Sequence, residues 1–347
     1  MTIQAAIRQL IDGQNLTQEQ ARAVTEQIMS GQATDAQIGA YLVALRLKGE
    51  TVDEITGAAL AMRAKALPLT LPGTTAVDTC GTGGDAAGTF NISTTAAFVV
   101  AAQGVVVAKH GNRAISSKSG SADLLLALGV NIEAELPVVQ RCLTEVGIGF
   151  LFAPRFHSAM RHVAGPRREL AVRTLFNLLG PLTNPANAAF QLVGLFADHW
   201  VKPIAQVLGR LGVQHALVVH GADGLDEITT TSHTTVAELD EQGQVTTYTL
   251  EPEQFGLPRA QLADLQGGDA ATNATISRQI LEGAKGPQRD IVLLNAGAAL
   301  YAARKADSIA SGIELAAEAI DSGRARRCLE QLVRLSHEPC PVAPTAP

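Results

Sequence analysis

Three stretches of the chain concentrate residue types that can bind an anion, grip a carboxylate or hold a cation. Gly81-Thr82-Gly83-Gly84-Asp85 runs on through Thr89, Asn91, Ser93 and Thr94. Glycines let a backbone approach a ligand closely and take positive φ, and N–H groups exposed where a helix begins suit a phosphate. The second stretch is Lys109-His110-Gly111-Asn112-Arg113-Ala114-Ile115-Ser116-Ser117-Lys118-Ser119-Gly120-Ser121-Ala122-Asp123. It packs cationic and hydrogen-bonding side chains among small residues, with Ser121 or a neighbour as a cap for a following helix. The third stretch, from His220 to Ile228, carries the adjacent acids Asp226 and Glu227. Neighbours in sequence cannot share one face of a helix or strand. In a loop they present two carboxylates in different directions, hard oxygens that suit magnesium together with water and substrate phosphates. Taken singly, each stretch also reads as an ordinary turn. The glycine loop is neither a Walker A sequence nor a Gly-x-Gly-x-x-Gly fingerprint, which disfavours nucleoside triphosphates and dinucleotides.

These loops need elements to hold them. Residues 1–70 read as helices with three capping boxes: Thr17 with Gln20, Thr34 with Gln37 and Thr51 with Glu54. Stops are expected at Gly31, at Gly49 and near Pro68. Ile38, Tyr41, Leu42 and Leu45 make one apolar helical face. After Pro72-Gly73, short apolar runs at 76–79, 105–108, 148–152, 190–196 and 216–219 alternate with helical patterns, including 95–103, 121–128 and 203–211. That rhythm predicts βαβ units and a largely parallel sheet. In such a sheet, loops at the C-terminal ends of two strands face one crevice. A hairpin is expected over 236–250 around Glu241 to Gly243, with helices after it to about Leu335. Four prolines mark the last nine residues as a flexible tail.

The 347 residues are enough for about two domains. A hydrophobic share of 46% against 17% charged supports a sizeable core. A formal net charge of −6 argues against general nucleic-acid binding, which draws its affinity from basic side chains. Cys80, Cys142, Cys328 and Cys340 are far apart, without a Cys-x-x-Cys pair, and neither a signal-peptide core nor a ~20-residue apolar span is present. A reducing, cytoplasmic setting without membrane association is expected. Cys80 reads as a packed residue. Arg324, Arg326 and Arg327 read as a solvated helix face or a dipole partner, and Trp200 as packing.

The segments 81–85, 91–94, 109–123, 160–185 and 220–228, in this order and at this spacing, resemble the signature segments of the anthranilate phosphoribosyltransferase family. The likeness extends through the chain to about Leu335. The family's fold is a small N-terminal α-helical domain beside a larger α/β domain with a mostly parallel central sheet, the nucleoside phosphorylase-like phosphoribosyltransferase architecture. The resemblance implies a helical domain over 1–72, joined by helices from about 167–187. It implies an α/β domain over 73–166 and 188–337, a flexible tail over 338–347, and a homodimer through the helical domain.

It also implies substrates, a metal and site residues. Phosphoribosyl pyrophosphate would lie on Gly81, Gly84, Asp85, Thr89, Asn91, Ser93, Thr94 and Lys109, with Ser121 nearby. Mg2+ would be held by Ser93, Asp226 and Glu227. Anthranilate would meet Gly81, Asn112 and Arg167 and enter past His110, His157 and Pro181, while Lys109, Asn112 and Arg167 carry the catalytic roles. Two departures stand out. Gly165-Pro166-Arg167 replaces the more usual Pro-Val-Arg, with Glu169-Leu170 keeping Arg167 in place over Arg168; and alanines follow Asp85 where glycine is common. The chain reads as the stand-alone form, without a fused amidotransferase segment. A pyrimidine nucleoside phosphorylase and a nucleic-acid-binding protein on the same fold are the alternatives. The 109–123 and 160–185 segments fit the first less well, and the acidic balance disfavours the second.

Overall fold

The structure is a computed structural model in which residues 1–71, 75–84, 87–114 and 118–340 are described. Four helices lead: α1 (Ile3–Ile11), α2 (Gln18–Met29), α3 (Asp35–Lys48) and α4 (Val52–Lys65). The three expected capping boxes all form, each threonine hydroxyl accepting the N–H three residues on while Gln20, Gln37 or Glu54 reaches back. Gly49 closes α3 at φ 89°, a backbone state that suits glycine. The stop assigned near Pro68 comes slightly earlier, at Lys65, where the Ala66 N–H turns back to Arg63. Glu54 does more than cap. Fully buried, it accepts the Leu16 N–H at 2.9 Å and pairs with Lys48 at 3.0 Å, tying α3 and α4 to the segment that leads into α2.

The rest alternates. In order come β1 (Ala76–Gly81), α5 (Ile92–Ala101), β2 (Val106–Gly111), α6 (Ser121–Leu128), α7 (Leu136–Arg141), β3 (Ile148–Phe152), α8 (Ala153–Phe156) and α9 (Arg161–Leu170). Then follow β4 (Phe190–Gly194), α10 (Val201–Arg210), β5 (His215–Gly221), β6 (Thr234–Leu239) and β7 (Val245–Leu250). Four helices close the chain: α11 (Ala270–Leu281), α12 (Pro287–Ala302), α13 (Ile309–Asp321) and α14 (Arg324–Ser336). The seven strands form one sheet in the order β3-β2-β1-β4-β5-β6-β7. β1 to β5 are parallel, and the expected hairpin adds β6 and β7 antiparallel.

Period-two burial sends the strands' side chains to two cores. Leu192, Leu217, Val219 and Val236 join α5, α6 and α11–α14 on one face. Val193, Ala216, Val218 and Ala237 join α1–α4, α10, Val163 and the stretch from Leu175 to Leu182 on the other. The helical bundle therefore shares its core with one face of the sheet. β1 is the switch point: the chain builds outward to β2 and β3, then crosses to the far side for β4 and β5. Parallel sheets open a ligand crevice at the carboxyl ends of strands at such a place. The opening is visible in the register. β1 and β2 pair only at Ala76 with Val106 and Val77 with Val107, after which the strands part. Two expected details differ. The run to residue 196 stops as a strand at Gly194, and Arg324, Arg326 and Arg327 sit in the first turn of α14. That end of the dipole disfavours cations, so ion pairs of Arg324 with Glu318 at 3.1 Å and Arg326 with Glu330 at 3.4 Å replace the dipole reading. Residues 341–347 of the expected tail lie outside the described residues.

Candidate active site

Gly81, at the end of β1, opens a loop in which Gly83 and Gly84 take φ of 66° and 79°. Asp85 lies outside the described residues. The loop meets the acidic turn directly, the Gly83 N–H donating to Asp226 Oδ2 at 2.7 Å. One residue on, Glu227 Oε1 accepts the Ser93 N–H at 3.1 Å, at the first turn of α5. The two adjacent acids thus point to different loops. Both carboxylates satisfy N–H groups that a helix start or glycine loop would otherwise leave open.

This closeness depends on missing side chains. A Cβ on Gly81 would stand 2.2 Å from Asp226 Oδ2, and one on Gly194 would stand 1.5 Å from the Asp226 carbonyl oxygen. Hard oxygens from Asp226, Glu227 and the half-buried Ser93 suit a magnesium ion whose remaining ligands are water and substrate phosphate. Among the described residues no group of three or more His, Cys, Asp or Glu gathers as a metal site.

The other glycine-loop residues divide. Thr89 bridges to Gln266, holding the loop against the segment before α11. Asn91 is a structural hub: its amide donates to the Ser119 carbonyl at 3.1 Å, and its Oδ1 accepts from Asn273 at 2.9 Å and from the Ser119 hydroxyl at 3.2 Å. Thr94 is buried at 2% exposure and lines an interior gap with Phe98 and Leu332. Gly84 is anchored by Arg173, whose guanidinium donates to its carbonyl and stacks over the Phe196 ring at 4.2 Å.

Lys109 is likewise interior. It is 3% exposed and donates to the Thr79 carbonyl across the splayed strands. Burial pulls its pKa down, opposed by Asp78, Cys80, Glu227 and Asp226. Asp78, fully buried on β1, accepts the His110 N–H at 3.2 Å and the Asn184 amide at 2.7 Å. Burial raises the Asp78 carboxyl, with Lys109 the chief opposing influence. The Cys80 thiol is pushed well up by burial and by Asp78, which leaves it a poor nucleophile.

Beyond Lys109 the loop curls back on α6. The Asn112 carbonyl accepts the Ala122 N–H at 3.2 Å and the Ser121 hydroxyl at 3.3 Å. Asp123 accepts the Ala114 and Gly120 N–H groups, both at 2.9 Å. Asn112 is exposed, so a ligand can reach its amide. His110 and His157 form a wall on the other side, with ring centroids 5.1 Å apart. His110 Nδ1 lies 3.1 Å from the Gly180 carbonyl, beside the buried Pro181. Burial presses both imidazoles into the neutral form, His110 down to about 3, aided by His157, and His157 down to about 4. Nε2 of each ring is buried without a hydrogen-bond partner among the described residues. Arg167, on α9 with Pro166 inside the same helix, is half-buried 5.8 Å above the Phe176 ring, whereas Arg168 is exposed. Burial lowers the Arg167 pKa from its ordinary value.

Asp78, Asn184, Arg173 and Gly194 escape a reading of motifs alone. The available signal was a lone carboxylate in the apolar run of β1; Arg173 and Asn184 look like loop residues.

A helical bundle joined to an α/β sheet, with glycine loops and an acidic turn at the switch point, is the architecture of a glycosyl transferase. The family model described as the a/b domain of the glycosyl transferase family matches residues 73–326, and its helical bundle domain matches residues 4–66. The chain belongs to the anthranilate phosphoribosyltransferase family. The anthranilate phosphoribosyltransferase of Paramagnetospirillum magneticum is 58% identical over 325 residues, covering 94% of this chain and 93% of the relative. That of Moorella thermoacetica is 56% identical over 331 residues, covering 95% and 97%. The crystal structure of the Thermus thermophilus enzyme aligns with TM-score 0.91 at 48% identity, over 96% of this chain and 99% of that one. The Saccharomyces cerevisiae enzyme in complex with phosphoribosyl pyrophosphate and Mg aligns with TM-score 0.87 at 28% identity, over 96% and 97%.

Proposed function

We propose that this chain transfers the 5-phosphoribosyl group of phosphoribosyl pyrophosphate to the amine of anthranilate, releasing pyrophosphate, as a step of tryptophan biosynthesis. The observation that carries this reading is the meeting of the acidic turn with both anion-binding loops: Asp226 on Gly83 and Glu227 on Ser93. It puts a place for a cation beside a place for phosphates.

In this reading Gly81, Gly84, Asp85, Thr89, Asn91, Ser93, Thr94, Lys109 and Ser121 serve the phosphoribosyl pyrophosphate side. Ser93, Asp226 and Glu227 would hold Mg2+, which supplies electrostatic stabilisation of the departing pyrophosphate. The chain's own contributions are clear in kind. Loop N–H groups other than those of Gly83 and Ser93, which the acids already engage, would face growing negative charge, and Lys109 adds a buried cation close behind them. Arg167 offers a planar fork to the anthranilate carboxylate, with Asn112 orienting the amine and ring. His110, His157 and Pro181 wall the aromatic entry. Anthranilate's amine is neutral near pH 7 and holds a free lone pair, so alignment with the anomeric carbon matters more than a strong base.

A homodimer through the helical end accords with Ile11 and Leu47, 71% and 83% exposed at the ends of helices that pack together. The 1–72 and 167–187 segments would then form one unit, and residues 73–166 and 188–337 the other. No helix among the described residues is long and apolar enough to cross a membrane. The test is loss of anthranilate fluorescence with phosphoribosyl pyrophosphate and magnesium, omitting one component at a time. Turnover that persists without magnesium or without phosphoribosyl pyrophosphate would overturn the reading, as would phosphorolysis of thymidine in its place.

A further inference from the structure

Asn295 sits midway along α12 and is fully buried among Val292, Leu294, Ala296 and Ala299. A primary amide in such surroundings is costly unless its groups are bonded. All of them are directed to the main chain. Oδ1 accepts the Ile228 N–H at 3.0 Å, and Nδ2 donates to the Ile228 carbonyl at 2.8 Å and to the Ile291 carbonyl of its own helix at 2.9 Å. The last bond braces the side chain against α12. The first two clamp both polar main-chain groups of one residue, the one that directly follows Glu227. The other end of the turn is held separately. Asp223 accepts the Leu225 N–H at 3.2 Å, the Thr229 hydroxyl at 2.5 Å and the Thr231 hydroxyl. Between these anchors the main chain of Asp226 rests against Gly194.

We infer that Asn295 is a positioning residue for the cation site: by clamping Ile228 it fixes the direction in which Glu227 and Asp226 present their carboxylates. It touches neither substrate nor metal. The inference rests on the reading that this acidic pair holds Mg2+. Groups that orient a metal ligand without contacting the ion commonly affect affinity about 10- to 100-fold, and Asn295 does so through a backbone from a helix 67 residues away. Its place in the sequence, a single amide within the apolar run of α12 after Asp290, carries no motif.

The test uses the full chain with Asn295→Leu, which keeps the branched shape but not the hydrogen bonds, and Asn295→Ser, which leaves room for water. Binding of Mn2+ in the presence of phosphoribosyl pyrophosphate is followed by electron paramagnetic resonance, with a protein-free control. The magnesium dependence and the anthranilate KM are measured in parallel. The expected result is a cation affinity about tenfold weaker or worse, turnover partly restored by high magnesium, and an anthranilate KM within about twofold of the unaltered chain. If one variant loses its cooperative melt, the other carries the measurement. Unchanged Mn2+ affinity in a folded Asn295 variant, beside weakened affinity in Asp226→Asn, overturns the positioning role. Unchanged affinity in Asp226→Asn removes the acidic pair from the metal site, and the role of Asn295 falls with it.

Discussion

At the scale of single residues, the site separates its tasks by burial. Arg167 is half-buried over Phe176, while Lys109 is sealed beneath the sheet end. Arg167→Ala should therefore raise the anthranilate KM by about tenfold or more, in line with ~1.5–3 kcal/mol for a charge-assisted hydrogen bond, with a much smaller change for phosphoribosyl pyrophosphate. Equal shifts for both substrates would contradict its assignment. Asp226→Ala with Glu227→Gln should demand far more magnesium, and an unchanged magnesium titration would remove them from the metal site. His110 and His157 make a prediction about pH. Their imidazoles are held neutral, down to about 3 and about 4, against about 6.5 in an unfolded chain. Protonation thus favours unfolding. Stability contributed by the neutral rings is present above pH 6.5 and falls below it by about 1.4 kcal/mol per pH unit for each ring, until the folded values are reached. Denaturant midpoints taken between pH 7 and 4.5 should show this slope, and His110→Gln should flatten it. A slope identical in the variant would show that His110 does not contribute.

At the scale of elements, what was legible followed from chemistry local in sequence. The capping boxes of α2, α3 and α4 formed because a hydroxyl and the residue three further on suffice to define them. α6 and β3 fell on their expected residues for a similar reason: short apolar runs bounded by glycine or by a sharp turn. Boundaries set from outside the element were not legible. β4 was expected to reach residue 196 and stops at Gly194; beyond it the Phe196 N–H turns to the Thr82 hydroxyl at 3.1 Å, a partner from another loop. The burial of Thr94, the hub role of Asn91 and the Asp78–Asn184 tie all require knowing which elements adjoin. The acidic pair could be named from its loop; its two separate N–H partners could not. Gly194→Ala should push the acidic turn off the β4 end. The cost is expected at ~1–3 kcal/mol or more in stability, together with weaker magnesium activation. An alanine variant with an unchanged melt and unchanged metal response would show that the turn can yield without consequence.

At the scale of the whole molecule, the crevice lies where two cores meet across one sheet. The α5 face carries the phosphate loop, and the helical-bundle face carries α9 with Arg167. On the proposed reading, the bundle would serve anthranilate binding through its continuity with β4 and β5, and its outer end would meet a second copy. Leu47→Glu should shift sedimentation from dimer toward monomer, since it places a charge on a residue 83% exposed at the end of α3. A chain that sediments as a monomer before any substitution would exclude pairing through this end.

Gly81 and Gly194 bring no side chain to the reaction, yet neither tolerates a β-carbon without displacing Asp226. A saturation screen scored by growth or turnover would rank both beside the arginine and the acids, as if they were reagents. Sensitivity at these two sites records an empty volume that the neighbouring turn must occupy. Screens that infer chemistry from intolerance alone would credit the wrong atoms here.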